Sequence, residues 1–424
     1  MGTVHVIGGG LSGLSCAVRV AASGQQVALY EATDHAGGRC RSFHDDGLGC
    51  IIDNGNHLLL SANHRTRSYI ELIGAQNQVT ELRPARFDFI EPASDLRWCL
   101  KPGSRWFPLW MLLASRRVPG SGLSDYRDIM RLWRAGPNDR VGDCVNQGSA
   151  LFERFWQPLC RAVLNTDATE ASARLLWTCI RLSFLKGEPA CRPIIFNEGL
   201  SQALVHPALA YLEKKAASVR FQSRVRGLRW ENDRVIAIRF PEGLLRVDEN
   251  DAVVLAVPPE VCADLWPDAA PPDETRSIVN IHFRVDQPFP EFENMPLIGL
   301  VGTRAHWIFV KKNVLSVTVS AANELAESPN WEIANMIWAE ICTGLGRNMG
   351  RLPPWRVIKE RRATIAQTPL VAIKRPQART ALKNLFLAGD WTNTGLPATI
   401  EGSILSGQRA ASLARAITDH KSSE

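Results

Sequence analysis

Several things that would assign this chain to a narrow class are missing from it. Its ten cysteines are scattered between Cys16 and Cys342 without a CxxC pair, which argues against a zinc site and against a compact disulfide framework. No metal site is expected, and reduced thiols in a cytosolic protein are the anticipated state. No apolar run reaches the roughly 20 residues that a membrane-spanning helix needs. The opening TVHVIGGG lacks the basic segment and small-residue cleavage site of a secretory signal, so no leader is expected. There is no internal repeat and no low-complexity tract. Dense basic clusters are also lacking: 49 Lys and Arg against 43 Asp and Glu leave a formal charge of +6. That charge permits contact with an anionic surface but is not the footprint of a nucleic-acid binder.

What is present is an ordinary globular composition, 45% hydrophobic and 22% charged over 424 residues. A chain this long exceeds one core, so two or three domains are expected. The strongest chemical signal is the stretch TVHVIGGGLSGLSCAVRVAASGQQVALYEA. Thr3 to Ile7 reads as a buried parallel strand. Gly8, Gly10 and Gly13 then fill GxGxxG around Leu11 and Ser12, and Leu14, Ala17, Val18 and Ala21 follow at helical spacing. Val27 to Tyr30 make a second strand ending at Glu31. In such a unit the first glycine permits the tight turn and the second lets the backbone approach a pyrophosphate. The third lets helix pack on sheet, and the helix N-terminus offers free N–H groups to the anion. Glu31 stands about 20 residues on, where an acid accepts ribose hydroxyls. That favours FAD or NAD over NADP.

Further stretches separate FAD from NAD. HAGGRCRS places Gly37, Gly38 and Arg39 just after Glu31, and IIDNGNHLLL contains Asp53, Gly55, Asn56 and His57. NLFLAGDWTNTGLPATIEGSILSG has a strand from Leu385 to Ala388, then Gly389 and Asp390, then a helix start at Thr399, Ile400 and Glu401 running through Ser406. Between these ends, VRFQSRVRGLRWENDRVIAIRFPEGLLRVDENDAVVLAVPP reads as hairpins with turns at END and PEG, closing in a buried strand from Ala252 to Val257. No second glycine-rich dinucleotide signature follows, so an external electron donor is expected.

These motifs resemble the flavin amine oxidase and carotenoid desaturase superfamily. Together with FERFWQPLCRAVLNTD and FNEGLSQALVHPAL, they are most similar to its squalene-associated branch, the hydroxysqualene dehydroxylase family. The resemblance covers nearly the whole chain and is densest at its ends. It implies FAD, with Arg39 near the pyrophosphate or ribose, and Gly55 and Asn56 beneath the flavin ring. Val225 would meet adenine through its backbone and Asp390 the ribityl chain, while the helix beginning at Thr399 would face the pyrimidine end. The implied fold is α/β: a Rossmann-type FAD-binding domain from residues 1–60, 196–262 and 384–424, with a discontinuous mixed α+β substrate domain from 61–195 and 263–383.

The implied reaction is reductive removal of the allylic hydroxyl of hydroxysqualene, giving squalene and water, in the squalene and hopanoid pathway. The alternative is an oxidative polyene desaturase or isomerase on the same fold; a flavin-free lipid escort is a third reading. Dehydroxylation needs a general acid, an apolar pocket with π faces and exclusion of water. His57, Asp53 and Glu401 are the candidate acids. His57 stands first because histidine titrates near neutrality, with a purely structural histidine as the competing reading. Glu401 is also read as a helix cap or a flavin contact, and Asp53 as a brace for its turn. His282 and His306 are weaker candidates, and Trp307 and Phe309 are read as pocket wall or core.

RWFPLWMLLASRR, Arg105 to Arg117, is an apolar run bracketed by arginines. The next segment has Ser124 as a possible N-cap with Asp125 in the first turn, and Leu123, Tyr126, Met130 and Trp133 along one stripe beside Arg127, Arg131 and Arg134. Two readings stay open: an interfacial landing patch, peripheral on the cytoplasmic membrane, or a helix packed on the core. Contact with upstream squalene-pathway enzymes is a further possibility that the hydrophobic isoprenoid substrate raises.

Overall fold

A computed structural model describes residues 2–103, 113, 116–286, 289–293, 295–347 and 350–418. The run from 104 to 112 and residues 114 and 115, most of the apolar stretch, lie outside the described residues.

Thr3–Ile7 is the centre of a five-stranded sheet. Gln26–Tyr30 lies on one side of it and Ala252–Leu255 on the other, with Ser218–Arg220 and Leu385–Leu387 outermost; all neighbours are parallel. Alternate residues face opposite ways. Val4, Val6, Val27, Leu29, Val254 and Phe386 pack against helices on one face. Tyr30, Val253, Leu255 and Leu387 pack on the other against Leu228, Val235 and Ile238 of a small antiparallel sheet. Cover on both faces explains why these strands read as continuous apolar runs.

The helix after the first strand spans Leu11–Ala22, starting directly behind Gly10, one turn before the first of the apolar positions from which it was read. It lies along Ile400–Thr418 near the other end of the chain. A Cβ at Gly407 would overlap the carbonyl oxygen of Ser12, so only glycine allows this approach. Ser12 Oγ and Ser403 Oγ are 3.0 Å apart, and Ser15 Oγ donates to the Ile404 carbonyl at 3.0 Å. The two helices therefore begin side by side at one edge of the sheet.

The second large sheet runs Trp355–Ile365, Thr275–Arg284, Val314–Val319, Trp307–Lys311, Leu297–Leu300, Phe87–Glu91, Leu96–Leu100. Its one parallel pair joins Leu297–Leu300 to Phe87–Glu91. Asn330–Leu345 covers part of it through Ile333, Ile337 and Ile341. A helical layer with its own core at Leu132, Trp156, Leu164 and Leu176 includes Gln157–Leu164 and Ala173–Leu182. A π turn at Phe152–Trp156 precedes the first of these helices, where Pro158 can supply no N–H.

The segment after the undescribed run departs from its expected form. A 3₁₀ turn, Leu123–Arg127, precedes the α-helix Asp128–Trp133. Ser124 is not the cap: Gly122 holds that place, and its N–H donates to Asp125 Oδ2 at 2.8 Å. The expected stripe also splits. Tyr126 is buried with Leu132, whereas Leu123, Met130 and Trp133 are exposed at 49%, 48% and 55%.

Candidate active site

A cavity of about 960 Å³ opens at the carboxyl ends of the parallel strands and continues beneath the seven-stranded sheet. Four strands of the parallel sheet deliver residues to it within two positions of their ends: Gly8, Glu31, Ala256 and Gly389. Ligands in open α/β sheets bind at this edge.

At the glycine turn, Gly8 has φ +105°, and a Cβ there would overlap the Ala256 carbonyl. Gly10 is the N-cap of Leu11–Ala22 without a side-chain cap, and a Cβ built on it meets nothing within 4 Å. The turn thus presents backbone to open cavity, with Leu11 and Ser12 beside it. Gly37 N–H donates to the Gly9 carbonyl at 2.8 Å, placing Gly38 and Arg39 across from the turn. Gly13 faces away from the cavity, against the Gly8 carbonyl and Ala256, where it lets helix and sheet close up.

Glu31 is more heavily used than a free ribose acceptor. Oε2 accepts from Gly9 N–H at 2.7 Å, and Oε1 accepts from the N–H and Oγ1 of Thr33 at 2.8 and 2.9 Å. Three of a carboxylate's roughly four acceptor positions are filled, leaving room for one hydroxyl rather than two. Val225 lines the cavity from an extended loop, and among the described residues neither its N–H nor its carbonyl has a protein partner.

Arg39 pairs with Asp390 at 2.7 Å and also donates to the Ala363 carbonyl. The Asp390 carboxylate holds the Arg39 guanidinium above its ordinary pKa. Gly389 N–H donates to Ser406 Oγ at 2.8 Å, tying the end of its strand to the C-terminal helix. Thr399 caps that helix, its Oγ1 accepting from Gly402 N–H at 3.2 Å, and Thr399 and Ile400 face the cavity. Two helix N-termini therefore point into one cavity, an arrangement suited to negative charge at two places.

The three candidate acids separate. Glu401 accepts from the N–H groups of Arg65 and Thr66 at 2.9 and 2.8 Å and from Thr66 Oγ1 at 2.6 Å. It caps the start of His64–Leu72, a different helix from its own, with three of roughly four acceptor positions filled, while still lining the cavity. Asp53 does not line the cavity; Oδ1 accepts from Ser42 Oγ at 2.6 Å and Leu200 N–H at 2.9 Å, bracing the loop from behind. His57 does line the cavity. Burial pushes its pKa down, Asp53 opposes this and Arg39 adds to it.

A polar network that carries no motif positions this loop. Asn280 Nδ2 donates to the Asn54 carbonyl at 3.4 Å, and its Oδ1 accepts from Thr318 Oγ1 at 2.8 Å; Asn56 Nδ2 also donates to Thr318 Oγ1, at 3.1 Å. Asn280 and Thr318 come from paired strands of the large sheet and face the cavity. The apolar end is lined by Phe87, Phe89, Phe155, Phe184, Trp307 and Phe309. Phe89 meets Trp307 edge-on at 5.4 Å, and Phe155 meets Phe184 at 5.6 Å. Trp307 and Phe309 thus reach the cavity wall. Phe155 and Phe184 were legible only as apolar helical residues.

His282 lies away from the cavity in the sheet core, its Nδ1 2.7 Å from Ser316 Oγ, with its pKa pushed down to about 4 by burial. His306 is a neighbour of the cavity rather than its lining. Its Nδ1 accepts Ser320 N–H at 3.0 Å, and burial and the adjacent Arg161 push its pKa down to about 3.

The comparisons agree with this geometry. The family described as flavin containing amine oxidoreductase matches residues 11–414. A hydroxysqualene dehydroxylase of Rhodopseudomonas palustris is 45% identical over 97% of this chain and 98% of its own, and one of Sinorhizobium fredii is 42% identical over 98% and 99%. A solved putrescine oxidase variant matches the fold with a TM-score of 0.72 at 15% identity, covering 98% of this chain and 99% of its own. The open glycine turn, the unpartnered Val225 backbone and the paired helix N-termini fit an FAD. The chain belongs to the flavin-containing amine oxidoreductases and, within them, to the hydroxysqualene dehydroxylase family, and it is an FAD-dependent oxidoreductase.

Proposed function

We propose that the protein removes the allylic hydroxyl of hydroxysqualene reductively, yielding squalene and water. The observation that carries this reading is the continuity of one cavity from a dinucleotide cradle to an aromatic end, together with the dehydroxylase relatives. In this reading Val225 would hold the adenine through its backbone, Glu31 a ribose hydroxyl, and Gly10, Leu11, Ser12, Gly38 and Arg39 the pyrophosphate. Asp390 would hold the ribityl chain, and Thr399, Ile400, Gly55 and Asn56 the flavin ring. When bound and reduced, FAD supplies the hydride.

The residues of the chain supply the rest. Asn280, Thr318 and Asn56 hold the loop that carries His57 at the cavity. Desolvation lowers the His57 pKa, and a negative charge placed beside it favours its cationic form. In this reading a His57 ring nitrogen carries the proton to the leaving oxygen. The faces of Phe155, Phe184 and Trp307 stabilise an allylic cation and exclude the water that would recapture it. Reducing equivalents come from an external donor. Among the described residues no helix is long and apolar enough to cross a membrane. The exposed Leu123, Met130 and Trp133, beside Arg127, Arg131 and Arg134, fit a peripheral approach to the membrane that holds the substrate.

An anaerobic single turnover tests the reaction. Chemically reduced holoenzyme is mixed with hydroxysqualene in detergent, following the visible flavin band and assaying squalene by mass. Return of the band in step with squalene supports the proposal. Flavin that stays reduced, while oxidised enzyme bleaches with a polyene such as phytoene, would reverse the hydride direction and make the protein a desaturase.

A further inference from the structure

A cation at the cavity wall has no place in the chemistry described so far. Arg161 lines the cavity from the last turn of Gln157–Leu164. Its Nε donates to Asp167 Oδ1 at 2.6 Å, and its Nη1 lies 3.2 Å from Nε2 of His306. Asp167 is itself held by Gln157 Nε2 at 2.7 Å. Among the described residues no protein group takes Nη2 of Arg161. Two of the three guanidinium nitrogens are thus fixed, and the third is left for a ligand.

The location matters as much as the grip. Asn165, one turn on, donates to Thr364 Oγ1 at 3.1 Å, and its Oδ1 accepts Ala321 N–H at 2.6 Å. Gln367 bridges the Leu164 carbonyl and Ala398 N–H, both at 2.8 Å, and Ala398 adjoins the capped N-terminus at Thr399. Arg161 is therefore carried on a turn pinned to the helix start that faces the cofactor region. The same cavity is walled by Leu159, Phe155, Phe184 and Trp307, whose side chains offer an oxygen atom no charged donor. A hydrocarbon ligand gains nothing from a guanidinium, whereas a hydroxyl in an apolar cavity needs a donor or acceptor.

We infer that Arg161 is a specificity determinant that donates through Nη2 to the hydroxyl oxygen of an isoprenoid alcohol, so that the cavity prefers the alcohol to the hydrocarbon it becomes. The inference rests on the dehydroxylase reading and names the group that recognises the oxygen. Sites built to hydrogen-bond a substrate hydroxyl discriminate strongly against the analogue lacking it, because a polar group is then left unpaired.

The test is equilibrium binding to the oxidised holoenzyme, which cannot donate hydride, read from the perturbation of the flavin spectrum by hydroxysqualene and by squalene. Wild type should bind the alcohol more tightly by about 10- to 100-fold, as for a hydrogen bond to a charged donor. Arg161→Leu should abolish the ratio by weakening the alcohol alone, with squalene affinity and flavin content unchanged. Asp167→Asn, which keeps the arginine but loosens it, should give an intermediate ratio and raise KM for the alcohol more than it lowers kcat. It also keeps the idea testable if the leucine variant does not fold. A wild type that turns over hydroxysqualene but binds both ligands alike would overturn the inference while leaving the dehydroxylase reading intact, and so would an Arg161→Leu enzyme that keeps the ratio. A wild type that produces no squalene from the alcohol in the single turnover would fail the dehydroxylase reading itself, and the inference with it.

Discussion

The two ends of the cavity are assembled differently. Gly8, Gly10, Glu31, Gly38 and Arg39 come from one stretch of chain that leaves a strand, turns into a helix and returns. Phe87, Phe155, Phe184 and Trp307 come from separate strands and helices and converge only after the large sheet has paired. The first end works through backbone, with N–H groups at a helix start and glycines that keep space clear. The second works through bulk, and many apolar side chains can provide bulk. A cradle built from backbone tolerates little change of residue type. A wall built from side chains is set by where its elements land.

The comparison breaks most severely at the first end. Gly8→Val puts a branched Cβ at φ +105°, into the Ala256 carbonyl. We expect flavin occupancy to fall at least about 100-fold, or insoluble protein, since the strain is added to a backbone overlap. The flavin absorbance per mole of purified protein checks this. Normal yellow protein would mean that the turn is softer than its geometry requires.

A paired experiment sharpens the contrast. Arg39→Met leaves Asp390 without its partner and should weaken FAD binding by about 10- to 100-fold, with substrate KM little changed once FAD is saturating. Phe155→Ala should do the reverse, leaving FAD affinity unaltered and raising KM about tenfold through lost apolar contact. Fluorescence titration of FAD and steady-state kinetics read the two effects separately. If Phe155→Ala lowers FAD affinity as much as Arg39→Met, the two ends are not functionally distinct.

A pH effect follows from the large sheet. His282 and His306 have folded pKa values pushed down to about 4 and about 3, chiefly by burial. In the unfolded chain each returns to about 6.5 and binds a proton there that the native state refuses. Stability is therefore fully present above pH 6.5 and is lost as the pH falls toward the folded values. Between pH 6.5 and 5 each histidine contributes on the order of 2 kcal/mol of that loss. Urea unfolding at pH 7 and pH 5 should show a smaller loss in His282→Gln than in wild type, and equal losses would reject the assignment to His282.

The smallest effect is expected at Glu401. Because its carboxylate caps His64–Leu72, Glu401→Gln should lower stability by about 1 kcal/mol and slow flavin reoxidation less than about tenfold. A fall of two orders of magnitude in the single turnover would return Glu401 to the role of acid.

How much of this was legible beforehand differs along the chain. The strand, glycine turn, helix and terminal acid of residues 3–31 can be read directly, because each part has a local cause. Thr33, which donates twice to the Glu31 carboxylate, stands only two residues away, yet hydrogen bonds closing a loop on itself leave no periodic trace. At Glu401 the sequence shows an acid in the first turn of a helix, which is the usual place for a cap. The helix it caps begins at His64, and nothing in either segment announces the other. Asn280 and Thr318 sit in strands as ordinary polar residues, and only the pairing of those strands brings them beneath the Asn54–His57 loop. The stripe at 123–133 was read as one face. The 3₁₀ turn at Leu123–Arg127 rotates Tyr126 inward while Leu123, Met130 and Trp133 stay outside.

By itself the sequence pointed to a dinucleotide cofactor, to a glycine turn at Gly8, and to a second motif near Asp390 and Thr399 that lines the same cavity. Those features depend on glycines, caps and strand ends acting over a few residues. The tertiary structure alone decided which polar groups stand free to do chemistry. It set Glu401 at the start of His64–Leu72 and Asp53 behind its loop, brought His57 to the cavity, and fixed two of the three guanidinium nitrogens of Arg161. Protonation and hydrogen-bond capacity depend on desolvation and on partners far away in the chain, and only the folded packing brings those together.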